Sequence, residues 1–192
     1  MTTQPESGEL LVGAYLRLIN ECEVVMYNQR PQRDGDQSEI DVIGIEKTDD
    51  GEQVVYTCEV VTHLNGLHYV GTPETDRWAE YGANDYQHSL ERLWRKFTSD
   101  NDYVTDLFDS ADEYVFQLWS PVVPGNSEEE YLLGGLHALE ADFEEETGME
   151  LELVINDRYS ARIEALQERA GETEKDYGEL GFRILQILEH LR

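Results

Sequence analysis

Residues 54–64 read VVYTCEVVTHL, a run of β-branched, aromatic and thiol side chains with Glu59 in its middle. A carboxylate inside an interior strand is costly unless it is paired, protonated or bound to a metal. Asp41 stands near the start of the preceding apolar run, EIDVIGIEK (39–47), and the two runs are joined by TDDGEQ with Asp50-Gly51 at its tip. Such a hairpin sets Asp41 and Glu59 on adjacent strands near the same end of a sheet. Two carboxylates that close repel, which raises the pKa of one of them unless a cation lies between. A hard ion such as Mg²⁺, or Mn²⁺ in its place, suits that position, held by one or two carboxylates with the remaining sites left for water and phosphate. Blander roles exist for both residues. Asp41 can cap backbone amides of the loop 31–38, and Glu59 can pair with Arg30 on the neighbouring strand.

The elements that must carry these residues follow from periodicity. Ser7 is placed to cap a helix through about residue 20, on which Glu9 shares an arc with Val12 and Leu16. Glu9 is also an ordinary first-turn acid, favoured there by the helix dipole. Residues 22–28 and 39–47 read as strands, and the 54–64 run as a third, forming a meander. Tyr86, Leu90, Leu93 and Phe97, spaced four, three and four, predict a helix over 81–98. A strand over 113–121 is stopped by Pro121. Ser127 opens a helix striped with Leu132, Leu136, Leu139 and Phe143 and closed by Gly148, and MELELVIN (149–156) alternates as a strand. Two helices finish the chain, the last with Leu180, Ile184, Ile187 and Leu191 on one stripe. The order αβββαβαβαα indicates an α/β fold, a mixed sheet flanked by helices. The tryptophans Trp78, Trp94 and Trp119 read as core anchors.

A helix followed by a meander with an Asp on its second strand and a Glu on its third resembles the PD-(D/E)XK, or restriction-endonuclease-like, nuclease superfamily. The resemblance covers roughly residues 8 to 100 and extends to the FQLWSPVVP strand. It implies a single domain over 1–192, with a restriction-endonuclease-like core at about 8–125 and a C-terminal α/β extension at 127–192. Carried over residue by residue, the helix acid looks like Glu9, the Asp like Asp41 and the Glu like Glu59, with Ile40-Asp41 in place of the family's Pro-Asp pair. The family's lysine belongs two residues after Glu59, where this chain has Val61. Some members supply the lysine from the following helix, and Lys96 is the corresponding candidate, with Arg95 second. His63 and Gln87 lie near enough in sequence to assist. The implied activity is Mg²⁺- or Mn²⁺-dependent phosphodiester hydrolysis, with DNA the expected substrate, a homodimer possible, and a role in repair, recombination or defence. Val61 supports a second reading, a catalytically silent member that binds nucleic acid or protein. A third is an acidic interaction protein of unrelated α/β fold, whose last helix pairs with another subunit.

Charge bears on both substrate and setting. The chain has 192 residues with 42 acidic and 14 basic side chains, a net charge of −28, and its only lysines are Lys47, Lys96 and Lys175. Acids spread over helices and loops alike match the solvated surface of a protein working in concentrated salt, and a haloarchaeal type of cytoplasm is expected. That charge opposes a polyanionic partner. Yet Arg30 and Arg33 flank the loop before Asp41, while Arg92, Arg95 and Lys96 cluster on the helix after Glu59, together framing one face for a phosphate backbone. In molar salt the usual electrostatic attraction is nearly gone in any case. For about six phosphate contacts, a thirtyfold rise in salt costs on the order of eight decades of affinity. Binding there must rest on metal bridges, hydrogen bonds and shape.

Several classes are disfavoured by what the sequence lacks. There is no P-loop, dinucleotide fingerprint, GxSxG elbow or HExxH motif. No apolar run reaches membrane-spanning length, and the first residues lack the features of a signal peptide, so a membrane partner is not expected. Cys22 and Cys58 sit in apolar contexts without a CxxC pattern, which suits core thiols in a reducing compartment.

Overall fold

The computed structural model describes residues 4–30, 39–62, 90–123 and 132–191. Among the described residues ten elements follow one another as α1 (Ser7–Leu18), β1 (Val24–Gln29), β2 (Ile40–Lys47), β3 (Gln53–Val60), α2 (Leu90–Leu107), β4 (Glu113–Ser120), α3 (Leu132–Thr147), β5 (Glu150–Ile155), α4 (Asn156–Gly171) and α5 (Leu180–His190). The order is the one read from periodicity. The strands form one open mixed sheet, β1-β2-β3-β4-β5, antiparallel as far as β3 and parallel from β3 to β5. β5 extends this same sheet, so the residues after 127 share its core rather than building a second one.

Strand alternation sorts side chains onto two faces. On one, Leu90, Leu93 and Phe97 of α2 and Leu136, Leu139 and Phe143 of α3 pack on Phe116, Leu118, Leu151 and Leu153, all essentially buried. On the other, Val12 and Leu16 of α1 and Tyr159 of α4 pack on Val42, Cys58, Trp119 and Val154. Trp119 is fully buried there, stacked edge-on against Tyr15 and Tyr159. Its indole N–H donates to Gln117 Oε1 (2.9 Å), and Gln117 in turn donates to Glu152 (2.7 Å), which pairs with Arg162 (2.5 Å). This chain of bonds satisfies polar groups that would otherwise be stranded beneath α4.

Boundaries differ from the sequence reading in instructive places. α1 starts at Ser7 with Glu6, not Ser7, at the cap position, because the Glu9 carboxylate reaches back to accept the Glu6 N–H at 2.9 Å. α2 runs past 98 to Leu107, since Val104 and Asp100 continue its buried face. α3 ends where Gly148 takes a positive φ of 71°, as its glycine predicts. The helix reading for 81–89 and the Ser127 start fall outside the described residues, as do Trp78, His63 and Arg33.

α5 closes over α1 and α4 through Phe182 and Leu185, which meet Ala14, Leu166 and Ala170. The crossing is close at Gly181, where an added Cβ would lie 2.5 Å from the Leu10 carbonyl oxygen. Backbone cannot yield as a flexible side chain does, so α5 must shift. Gly181→Ala is therefore expected to cost about 2 kcal/mol in urea unfolding, within the usual range for overpacking a filled contact. An unchanged midpoint would show that α5 docks less tightly than this. Among the described residues no helix is long and apolar enough to cross a membrane.

Candidate active site

β2 and β3 pair with Val42 opposite Cys58, so Asp41 and Glu59 stand opposite one another one step further along the same register. The ladder stops there for a visible reason. Asp41 Oδ2 accepts the Val60 N–H at 2.7 Å, a carboxylate taking the donor that a further main-chain bond would use. Asp41 is thus a backbone cap of the third strand; the loop 31–38, whose amides it can cap on the sequence reading, lies outside the described residues. By alternation Glu59 shares a face with Val55 and Val61, towards α2.

From that helix Lys96 crosses to the pair. Its ammonium forms an ion pair with Glu59 Oε2, donates to the main-chain carbonyl of Glu39 and lies 4.0 Å from Asp41 Oδ1. All three side chains are largely enclosed, with 14–16% of their surface exposed. Lys96 sits on α2 one residue before the buried Phe97, and that position lets a long side chain run along the sheet edge to the carboxylates. Val61 packs against the α2/α3 core, so the strand itself offers no cation here.

Burial and the facing Glu59 carboxylate push Asp41 up to about 8; Lys96 and the Val60 N–H oppose the rise without cancelling it. Lys96 is held protonated. Burial works against its charge, but Glu59, Asp41 and Asp100 outweigh burial and raise its pKa above the ordinary value. The site therefore sets a proton-holding Asp41 beside the Glu59–Lys96 contact.

This sets a pH dependence for the metal-free chain. The folded state holds the Asp41 proton to about pH 8 while the unfolded chain loses it near 4, so the associated stability is full at low pH and falls as pH rises through this window. Lys96 contributes nothing to the slope there, because its charge is lost only above its ordinary value, near 10.5. Urea titrations in EDTA should give lower stability at pH 8 than at pH 5. A flat profile would mean that Asp41 ionises freely.

Glu9 lies beside the pair rather than within it. It is 8% exposed and binds the Glu6 N–H, and its carboxyl is raised by burial first and by the Asp41 charge among the lesser causes. Glu9 is thus a first-turn acid, within electrostatic reach of Asp41. Arg30 pairs with Glu39 at 2.7 Å, not with Glu59, because β2 lies between β1 and β3 and keeps Arg30 a strand away. Arg92 is exposed on α2 one turn before Lys96. Arg95 points elsewhere: it lines a polar groove of about 550 Å³ between α2 and the end of α3, with Thr98, Asn101, Asp102 and Glu146 among its walls. Gln87 lies outside the described residues.

Two participants escaped the sequence reading. The Glu39 carbonyl has no side-chain signature. Asp100 is 2% exposed and one turn after Lys96 on the same helix, and its i+4 spacing was the available signal once the helix is carried past residue 98.

The donor set is compatible with a hard divalent ion. Asp41 and Glu59 would supply two anionic oxygens, a number typical of Mg²⁺ sites that keep several waters. Among the described residues no three His, Cys, Asp or Glu side chains converge as a metal-binding group, so an ion here would need water or substrate oxygens to complete its shell.

Comparison with known proteins adds little. No known family profile matches the chain, and no curated protein matches its sequence. A crystal structure of a protein of unknown function, AF1548, is similar at 19% identity with a TM-score of 0.31, covering 76% of this chain; the chain spans 58% of that protein's length. A likeness at that level carries no argument about fold or activity.

Proposed function

We propose that the chain is a metal-dependent nuclease that hydrolyses phosphodiester bonds, with DNA as substrate, in a cell with a salty interior. The observation that supports it is Lys96 arriving from α2 beside the opposed Asp41 and Glu59, at the point where the strand carries Val61. Asp41 and Glu59 would hold one Mg²⁺ or Mn²⁺, which when bound lowers the pKa of a coordinated water and polarises the phosphate. Lys96, kept charged at any working pH, offers its N–H donors to a phosphate oxygen and stabilises charge that develops there. The Glu39 carbonyl and Glu59 carboxylate fix the direction of that ammonium before substrate arrives. Glu9, close enough to sense the Asp41 charge, is placed to orient water on the α1 side. Arg92 on α2 and Arg30 at the end of β1 are exposed cations for a passing backbone, although a phosphate at Arg30 must compete with Glu39.

A second reading draws on the same contact. Lys96 already neutralises Glu59, so the cluster also serves as a closed ion pair in a catalytically silent protein that binds nucleic acid or a protein partner. Incubation with single-stranded, double-stranded and branched DNA in molar KCl separates the two. The nuclease reading expects strand scission that requires Mg²⁺ or Mn²⁺ and stops in EDTA. No scission of any substrate with either metal would leave the silent reading.

A further inference from the structure

α5 has two apolar faces, and only one is used. Gly181, Phe182 and Leu185 are buried against α1 and α4, while Leu180, Ile184, Ile187, Leu188 and Leu191 are each about half exposed or more. Of the eight large hydrophobic residues exposed among the described ones, these five form one stripe; scattered exposure is ordinary, a contiguous patch is not. A helix apolar around its circumference is normally buried on every side.

The stripe points to a particular occupant. Its central residues are Leu180, Ile184, Ile187 and Leu191, spaced four, three and four. The spacing and the residue types, Leu-Ile-Ile-Leu, read the same in both directions. Two copies laid antiparallel about a two-fold axis between Leu185 and Gln186 would therefore set Leu180 against Leu191 and Ile184 against Ile187, as seam residues in helix pairs. The stripe itself carries no carboxylate, and beside it stand Arg183 and His190, the latter 3.6 Å from the exposed Glu174, in a chain whose net charge is −28. Along the stripe two copies do not meet acid with acid. The helix is 11 residues long, so the contact is at the small end for a specific interface and the association is weak. Concentrated salt strengthens it twice over, by screening the net repulsion and by favouring apolar burial.

We infer that the outer face of α5 is a homodimer interface, antiparallel and two-fold, which tightens as salt rises. Analytical ultracentrifugation of the full chain in dilute and in molar KCl tests this. The parent is expected to self-associate, with affinity at least about tenfold higher in molar salt. The double variant Ile184→Glu, Ile187→Glu is expected to be monomeric throughout with an unchanged circular dichroism spectrum, because both side chains face outward. A parent that stays monomeric at high concentration in molar salt overturns the proposal and leaves the face to a partner of different sequence. A double variant that dimerises like the parent overturns it as well. For the register, Leu180→Cys mixed with Leu191→Cys under mild oxidation should cross-link far more than either alone. Equal cross-linking by Leu180→Cys alone would exclude the antiparallel pairing.

Discussion

For the nuclease proposed above, Asp41→Asn is expected to lose cleavage by at least about a hundredfold and yet to unfold at higher urea than the parent at pH 8 without metal. Both effects have one cause. The parent at pH 8 is forced to choose between keeping a proton on Asp41 and holding two ionised carboxylates in contact with a single ammonium. Asparagine is close in shape, keeps an oxygen for the Val60 N–H and removes the repulsion. The gain should be about 2 kcal/mol, a fraction of the ~1.4 kcal/mol per pH unit that linkage allows across the window. It should be smaller at pH 5 and vanish below about pH 4, where the unfolded parent holds the proton as well. Mg²⁺ should stabilise the parent and not the variant, since only the parent keeps both anionic donors. A variant less stable than the parent at pH 8 would show that the Asp41 carboxylate is worth more as an ionised partner of Lys96 than it costs beside Glu59.

Lys96→Met reverses the stability effect. Methionine keeps the length and apolar stem of lysine and removes the charge, leaving the buried Glu59 without the ammonium that pairs with it. Removing one member of an enclosed ion pair costs about 3 kcal/mol, and the Glu39 carbonyl loses a donor as well. Most of that cost should appear at pH 8 and less at pH 5, where the Asp41 carboxyl carries its proton. Cleavage should fall by roughly a hundredfold, the worth of one well-placed donor to a developing anion. Urea titration at the two pH values, with single-turnover cleavage in parallel, measures both. Loss of stability with cleavage intact would reduce Lys96 to a structural counter-ion and return the catalytic role to other groups.

Much of this arrangement is legible in the chain. Period-two alternation around Asp50-Gly51 is enough to oppose Asp41 to Glu59, because a two-strand hairpin leaves little freedom of register. The four-three-four spacing on α2 and α3 likewise identifies the faces that reach the sheet. What periodicity leaves open is direction within a helix whose residues off the stripe are polar. Lys96 lies off the centre of the Leu90, Leu93 and Phe97 stripe, and only the packed structure decides that it turns inward, because the Glu39 carbonyl and Glu59 attract it. α2 continues past Thr98 because Val104 and Tyr103, with the buried Asp100, hold a polar run against β2 and β3, too few apolar residues to read in advance. For α5 the stripe was visible, but the helix is apolar on two sides. Gly181 decides which one packs, by allowing close approach to α1 on that side alone.

The central claim is that Asp41 and Glu59 together hold one divalent ion. Mn²⁺ titration followed by electron paramagnetic resonance, at pH 8 in molar KCl to suppress loose binding to the acidic surface, tests it on the parent and on Asp41→Asn. The account predicts one Mn²⁺ held per parent chain, displaced by excess Mg²⁺ and absent from the variant. Equal Mn²⁺ binding by both proteins, or none by either, would contradict it.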